Sequence, residues 1–198
     1  AEIPNEDSVA YELDYTNLFQ PNRFAGLDRV ETGPRLVYGL DNRWGTPDVT
    51  RWRLFLGQSI RKFDENALPL SGGAATPVSD WVGYVEAEPT AWLDLTHRFR
   101  LDNGNFQPRR ADTGLRIGEY KKAHILFNHT YLENGPQEIS SQAELPLTDV
   151  TTAFASFRND LVNDTLLEGE LGMRFTADCY EIEVVARRRG FENADLRP

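Results

Sequence analysis

The chain has 198 residues, 21 Lys+Arg against 31 Asp+Glu, and a formal net charge of −10. That length suits one domain with a sizeable core or a piece of something larger, and the acidic balance excludes the basic stripe that nucleic-acid binding requires. Cys179 is the only cysteine, which excludes an internal disulfide, and no run of about 18 apolar residues exists to form a transmembrane helix.

Residues 1–32 read as an irregular segment, with Pro4, Pro21 and several Asn and Asp turn formers. From residue 33 to 198 the signal is period two, with no sustained helical spacing. Ten strands are predicted, near 34–42, 49–62, 80–88, 91–101, 109–118, 122–132, 138–147, 150–159, 165–176 and 178–190. In the second, Trp52, Leu54, Leu56 and Ile60 oppose Arg51, Arg53, Ser59 and Arg61. In the fourth, Leu93, Leu95, Phe99 and Leu101 oppose Asp94, Thr96, Arg98 and Arg100. The seventh sets Ile139, Ala143, Leu145 and Leu147 against Ser140, Gln142 and Glu144. The ninth sets Leu167, Gly169, Leu171, Met173 and Phe175 against Glu168, Glu170 and Arg174. The tenth, which Cys179 opens, sets Tyr180, Ile182, Val184 and Ala186 against Glu181, Glu183, Arg187 and Arg189.

Such strands suit either a transmembrane β-barrel or a soluble β-sandwich. Two features point to the barrel. Connections alternate between short (DNRWGTP, EPT, EYKK, TD) and longer (DENALPLSGGAATPVSD, DNGNFQP, ENGPQ), as in outer-membrane barrels with tight periplasmic turns and larger external loops. The polar side also pairs arginines with carboxylates, as a wet lumen would. Arg98, Arg100, Glu168, Glu170, Arg174, Glu181, Glu183 and Arg187 are the predicted lumen-facing charges. Trp44, Trp52, Trp81 and Trp92 fall near strand ends, where an interfacial aromatic girdle belongs. The expected class on this pattern is all-β, made of antiparallel amphipathic strands, with the transmembrane barrel and the soluble sandwich both left open.

No active site emerges. His124 and His129 are five apart on one strand and point to opposite sides, so they cannot share a metal, and His97 lies on the apolar side. Glu181 and Glu183 lie about 7 Å apart on one side, but Arg187 and Arg189 share it, and a salt-bridged wall accounts for them without a reaction. Nucleophile-elbow, P-loop, dinucleotide and C-x-x-C patterns are all absent. No enzyme, cofactor or metal is expected. NHT (128–130) and NDT (163–165) match the glycosylation acceptor pattern, a match that arises often by chance.

Two stretches carry a resemblance. IPNEDSVAYELDYTNLFQPNRFAGLDRVETGPRLVYGL (3–40) resembles a segment of the LPS-assembly outer-membrane protein family LptD, also called organic solvent tolerance protein. That segment runs I-P-x-x-D-S, N-L-F, N-R-F-x-G-x-D-R and then a strand. DCYEIEVVARRRGFENADLRP (178–198) is similar to that family's near-terminal strand.

The resemblance implies a 26-strand barrel in the Gram-negative outer membrane, an amino-terminal periplasmic domain, and a lipoprotein plug, LptE, in the lumen. Lipopolysaccharide would be the transported substrate, arriving over a periplasmic bridge and inserted into the outer leaflet. Cys179 matches a cysteine that links the barrel to the periplasmic domain by disulfide. The family often has two adjacent cysteines there, where this chain has Asp178 and Cys179. Asn22, Arg23, Phe24, Gly26, Asp28 and Arg29 match the loop motif, expected near the extracellular end and folding toward the lumen, with a salt bridge involving Asp28 and Arg29. On this reading the periplasmic domain, the first half of the barrel and the terminal strand lie outside the present stretch. Two other classes stay open: a small self-contained outer-membrane barrel acting as pore, adhesin or hydrolase, and a soluble carbohydrate-binding β-domain. The last expects Leu93, Leu95, Leu167, Leu171, Tyr180 and Ile182 to face a dry protein core.

Overall fold

The computed structural model describes residues 9–10, 12–25, 33–46, 50–62, 72–74, 76–120 and 122–190. Two short strands, β1 (Val9–Ala10) and β2 (Phe24–Ala25), pair with each other, Val9 opposite Ala25 and Ala10 opposite Phe24. The remaining ten strands form one antiparallel sheet: β3 (Arg35–Thr46), β4 (Thr50–Arg61), β5 (Trp81–Thr90), β6 (Leu93–Leu101), β7 (Pro108–Gly118), β8 (His124–Leu132), β9 (Gln137–Thr148), β10 (Thr151–Asp160), β11 (Thr165–Ala177) and β12 (Tyr180–Arg189). Every strand pairs with its neighbours in sequence, and β3 and β12 end the order.

The predicted all-β class and all ten strands are present, and the differences lie at strand ends. β3 runs on to Thr46, through residues whose Asp and Asn content reads as a turn. Asp41 is instead held by Arg53, 3.0 Å away, and Trp44 stacks on Trp52 with ring centroids 6.3 Å apart. Proline at 89 does not end β5, which reaches Thr90, so the tight turn is Ala91–Trp92. Cys179 does not open the last strand. It sits with Asp178 in the turn between β11 and β12.

The chain divides into two compact units. The first contains residues 1–44, 52–86 and 97–111, and the second contains 45–51, 87–96 and 112–198. The first has a small core of Leu13, Leu18, Phe55, Ala74, Val82 and Tyr84, with Tyr15 and Val37 packed against it. Each fully buried apolar side chain of this kind contributes about 1.5–3 kcal/mol. The second has nothing equivalent. Among its described residues only Ala87, His124 and Gly172 are buried. A unit of this size ordinarily offsets chain entropy by burying apolar surface, whereas most large apolar side chains described in the second unit are half-buried or exposed.

The turns are built from local chemistry. Gly118 adopts φ +99°, and a Cβ there would lie 2.1 Å from the Ala123 carbonyl oxygen, so the β7–β8 turn admits glycine alone. In the β6–β7 turn, Asp102 accepts from the Gly104 and Asn105 N–H groups at 2.9 and 3.0 Å and pairs with Arg109 at 2.5 Å. Arg109, then those two N–H groups, pull its carboxyl down to about 2. The contribution of Asp102 to the turn is complete above the ordinary carboxylate pKa of about 4. It is lost as pH falls through about 2.

Candidate functional site

Strand register sorts the side chains of β8 to β12 onto two sides. On one side Glu168 faces Arg189, Glu170 faces Arg187 and Arg174 faces Glu183, with Ser156 and Arg158 of β10 beside Glu170 and Glu168. The charges pair across strands. Arg189 Nε lies 3.3 Å from Glu168, Arg174 Nε 3.1 Å from Glu183 and its Nη1 3.8 Å from Glu144, and Arg187 contacts Glu170 directly. Sequence alone paired Glu181 and Glu183 with the arginines further along β12. The observed partners belong to β11, because opposed residues on neighbouring strands sit about 5 Å apart whereas i and i+4 on one strand are about 13 Å apart. Glu181 meets Thr176 at 3.4 Å. Each such exposed pair contributes about 0.2–1 kcal/mol. Next to this ladder, Asn128, Ser140, Gln142, Ser156, Arg158 and Glu168 line a shallow trough of hydrogen-bonding groups.

The other side is apolar and open. Tyr180, Ile182, Val184 and Ala186 of β12 stand opposite Ala177, Phe175, Met173 and Leu171, which continue into Thr151, Ala153 and Ala155 of β10 and then Leu145 and Ala143 of β9. Leu171 is 65% exposed, Val184 62% and Ile182 52%. No second layer covers this side among the described residues: of the residues a dry core would bury, Leu95, Leu171, Tyr180 and Ile182 are exposed and Leu93 and Leu167 half-buried. A continuous exposed apolar surface of this extent marks contact with a membrane or another protein. His97 lies on the apolar side against Phe99, ring centroids 5.6 Å apart. His124 and His129 pair with Glu144 and Ile139 respectively, on opposite sides of β8.

In the first unit the polar side is partly covered by residues 12–23. Glu12 bridges Arg100 at 2.6 Å and Arg110 at 2.5 Å, and Asp80 lies 3.4 Å from Arg100. Tyr15 stacks on Tyr84 at 4.7 Å, with Arg53 5.6 Å from the Tyr84 ring and Arg98 5.7 Å from that of Tyr15. Leu18 is fully buried over Gly57, where a Cβ would come within 2.5 Å of its methyl group. Glycine at 57 is thus the space into which Leu18 fits. Phe55, Val82 and Tyr84 share strand parity with the charged residues, breaking the expected apolar–polar alternation. They are buried because residues 13–19 pack on them.

The predicted charges thus divide. Glu168, Glu170, Arg174, Glu181, Glu183 and Arg187 share the polar side of the second unit, while Arg98 and Arg100 hold the covering segment in the first. Of the predicted motif loop, Asn22 is half-buried, Arg23 is 1% exposed, and Phe24 belongs to β2. Gly26, Asp28 and Arg29 lie outside the described residues, as does the expected salt bridge. Glu12, Tyr15, Arg53, Asp80 and Tyr84 were not singled out from sequence. Strand parity marked Arg53 as polar-side, but nothing local signals a Glu12–Arg110 contact across 98 positions. Cys179 is exposed and free.

Residues 1–162 match the family model described as LptD, LPS transport system D. The chain belongs to the LptD family. Relatives named LPS-assembly protein LptD from Nitrosomonas eutropha, Hahella chejuensis and Burkholderia lata are 23%, 26% and 26% identical over 188, 191 and 196 residues. These matches cover 94%, 94% and 93% of this chain but 26%, 24% and 25% of the relatives. The chain therefore spans about a quarter of the length of the curated relatives it matches. The LptD family match takes in every strand through β10. β11, β12 and Cys179 lie beyond it.

Proposed function

We propose that this chain is a wall segment of a β-barrel that inserts lipopolysaccharide into the outer leaflet of the Gram-negative outer membrane. Hydrocarbon solvates the apolar side, and the charged side lines a water-filled lumen. The observation that carries this reading is the second unit, whose described residues leave the apolar side uncovered, ladder the polar side and form no core. A membrane removes the contradiction, because lipid supplies the apolar contact that a soluble unit would need from its own core. Family membership supplies the substrate. The trough beside the Glu168–Arg189 ladder offers neutral hydrogen-bond groups next to charge, which suits sugar hydroxyls carrying phosphates. Residues 12–23, which end on Asn22 and Arg23 of the motif, fill part of the lumen. The remaining polar side is left for an LptE-type plug and for the passing substrate.

Orientation follows from the turns. The short connections, among them Ala91–Trp92, Asp149–Val150 and Asp178–Cys179, share one end of the antiparallel sheet and face the periplasm. This presents the Cys179 thiol to an oxidising compartment, where its disulfide partner is a cysteine of the amino-terminal periplasmic domain. Non-reducing electrophoresis of the full-length protein tests the placement. Wild type is expected to migrate as a cross-linked form that reductant converts, and Cys179→Ser to run at the reduced position. Identical migration of mutant and wild type under non-reducing conditions would refute the assignment.

A further inference from the structure

Arg188 is out of place on the side it occupies. It stands opposite Gly169, in the same strand phase as Ala186, Val184 and Ile182, whereas its neighbours Arg187 and Arg189 turn to the polar side and meet Glu170 and Glu168. From Glu138 to Arg189, the described apolar-side positions of β9 to β12 contain no carboxylate. Arg188 is exposed, and no described residue forms an ion pair with it. Gly169 beside it leaves a notch, since a Cβ there would meet only the Leu166 side chain at 3.7 Å. Phe157 flanks the notch on β10.

Height along the strand decides what Arg188 meets. From Tyr180 to Arg188 the chain rises about 27 Å. At the tilt of about 35–45° usual in membrane barrels, this becomes about 20 Å along the bilayer normal, within an apolar band about 25 Å tall. Tyr180 marks the short-turn end, so Arg188 lies near the opposite interface, and its long side chain can carry the guanidinium to headgroup level. A guanidinium there, with no ion-pair partner among the described residues, is placed to meet the anionic groups of the headgroup layer. Its planar fork matches phosphate oxygens in pairs, better than a lysine would.

Resting on the lipid-facing reading above, we infer that Arg188 and the Gly169 notch form a binding site on the outer wall for the phosphate of a membrane lipid headgroup, in the leaflet at the long-connection end. It would anchor the last strands described against the leaflet.

The test uses the full-length protein in bilayers, with any free native cysteine replaced by serine and a fluorophore on Ala186→Cys, one row from Arg188. Quenching by brominated phosphatidic acid is compared with quenching by brominated phosphatidylcholine. A several-fold preference for the phosphatidic acid is expected, falling to about one in Arg188→Gln and largely kept in Arg188→Lys. An unchanged preference in Arg188→Gln overturns the inference while leaving the lipid-facing side intact. Abolition of the preference by millimolar inorganic phosphate would make it a soluble-anion site and overturn the lipid assignment. If brominated phosphatidylcholine fails to quench the label at all, the underlying placement in lipid fails first.

Discussion

Arg100→Ala is expected to release residues 12–23 from the polar side of the first unit. Arg100 is 4% exposed and balances Glu12 at 2.6 Å and Asp80 at 3.4 Å. Burial pushes the Asp80 carboxyl up, and Arg100, ahead of Arg109, is the cation that opposes this. Removing one member of a buried charge cluster costs about 3–5 kcal/mol, because the remaining charges keep their desolvation penalty without compensation. The Leu13 N–H bonded to the Gly72 carbonyl and the Leu18 N–H bonded to Asp14 report on the segment directly. At 1.4 kcal/mol per factor of ten, their hydrogen-exchange protection should fall by about two to four orders of magnitude. Unchanged protection at both amides would show that the aromatic stack holds the segment without Arg100. Arg98→Ala is the milder comparison, because it removes a ring contact worth about 0.5–1 kcal/mol at an exposed site.

A charge placed in the apolar side should be far more damaging than its exposure suggests. Val184 is 62% exposed and sits mid-strand in β12, opposite Met173. On a surface facing water, Val184→Arg would alter stability by no more than about 0.5 kcal/mol. At the middle of a bilayer the same change costs about 2–4 kcal/mol. Full-length protein carrying Val184→Arg should accumulate in the outer membrane at a fraction of the wild-type level. Val185→Arg, one residue along and opposite Gly172 on the charged side, should approach wild type. Equal recovery of the two variants would mean that both sides of β12 are solvated alike.

Much of this was legible because period two is a strong signal when charges mark its phase. Period two marks all ten strands, and in β11 Glu168, Glu170 and Arg174 alternating with Leu171, Met173 and Phe175 mark the two sides that β12 continues. Strand ends were less legible. Asp41 and Asn42 have turn chemistry, but an arginine on the next strand keeps Asp41 in β3, a tertiary override of local preference. The covering segment was illegible as an element. Residues 12–23 have no period, and their placement depends on Glu12 finding Arg100 and Arg110 far along the chain. Its trace in the sequence was Phe55, Val82 and Tyr84, apolar residues in the polar phase, which become intelligible once something is known to lie over them. Arg188 is the converse, a cation in the apolar phase.

Accessibility scanning of β12 tests the solvent of the two sides most directly. A nitroxide placed in turn at residues 180–187 of the full-length protein in bilayers reports collisions with oxygen, which concentrates in hydrocarbon, and with a water-soluble nickel chelate. Positions 180, 182, 184 and 186 should favour oxygen and positions 181, 183, 185 and 187 the chelate, the two profiles alternating out of phase. Profiles that rise and fall together, or even-numbered positions shielded from both reagents, would contradict a lipid-facing wall.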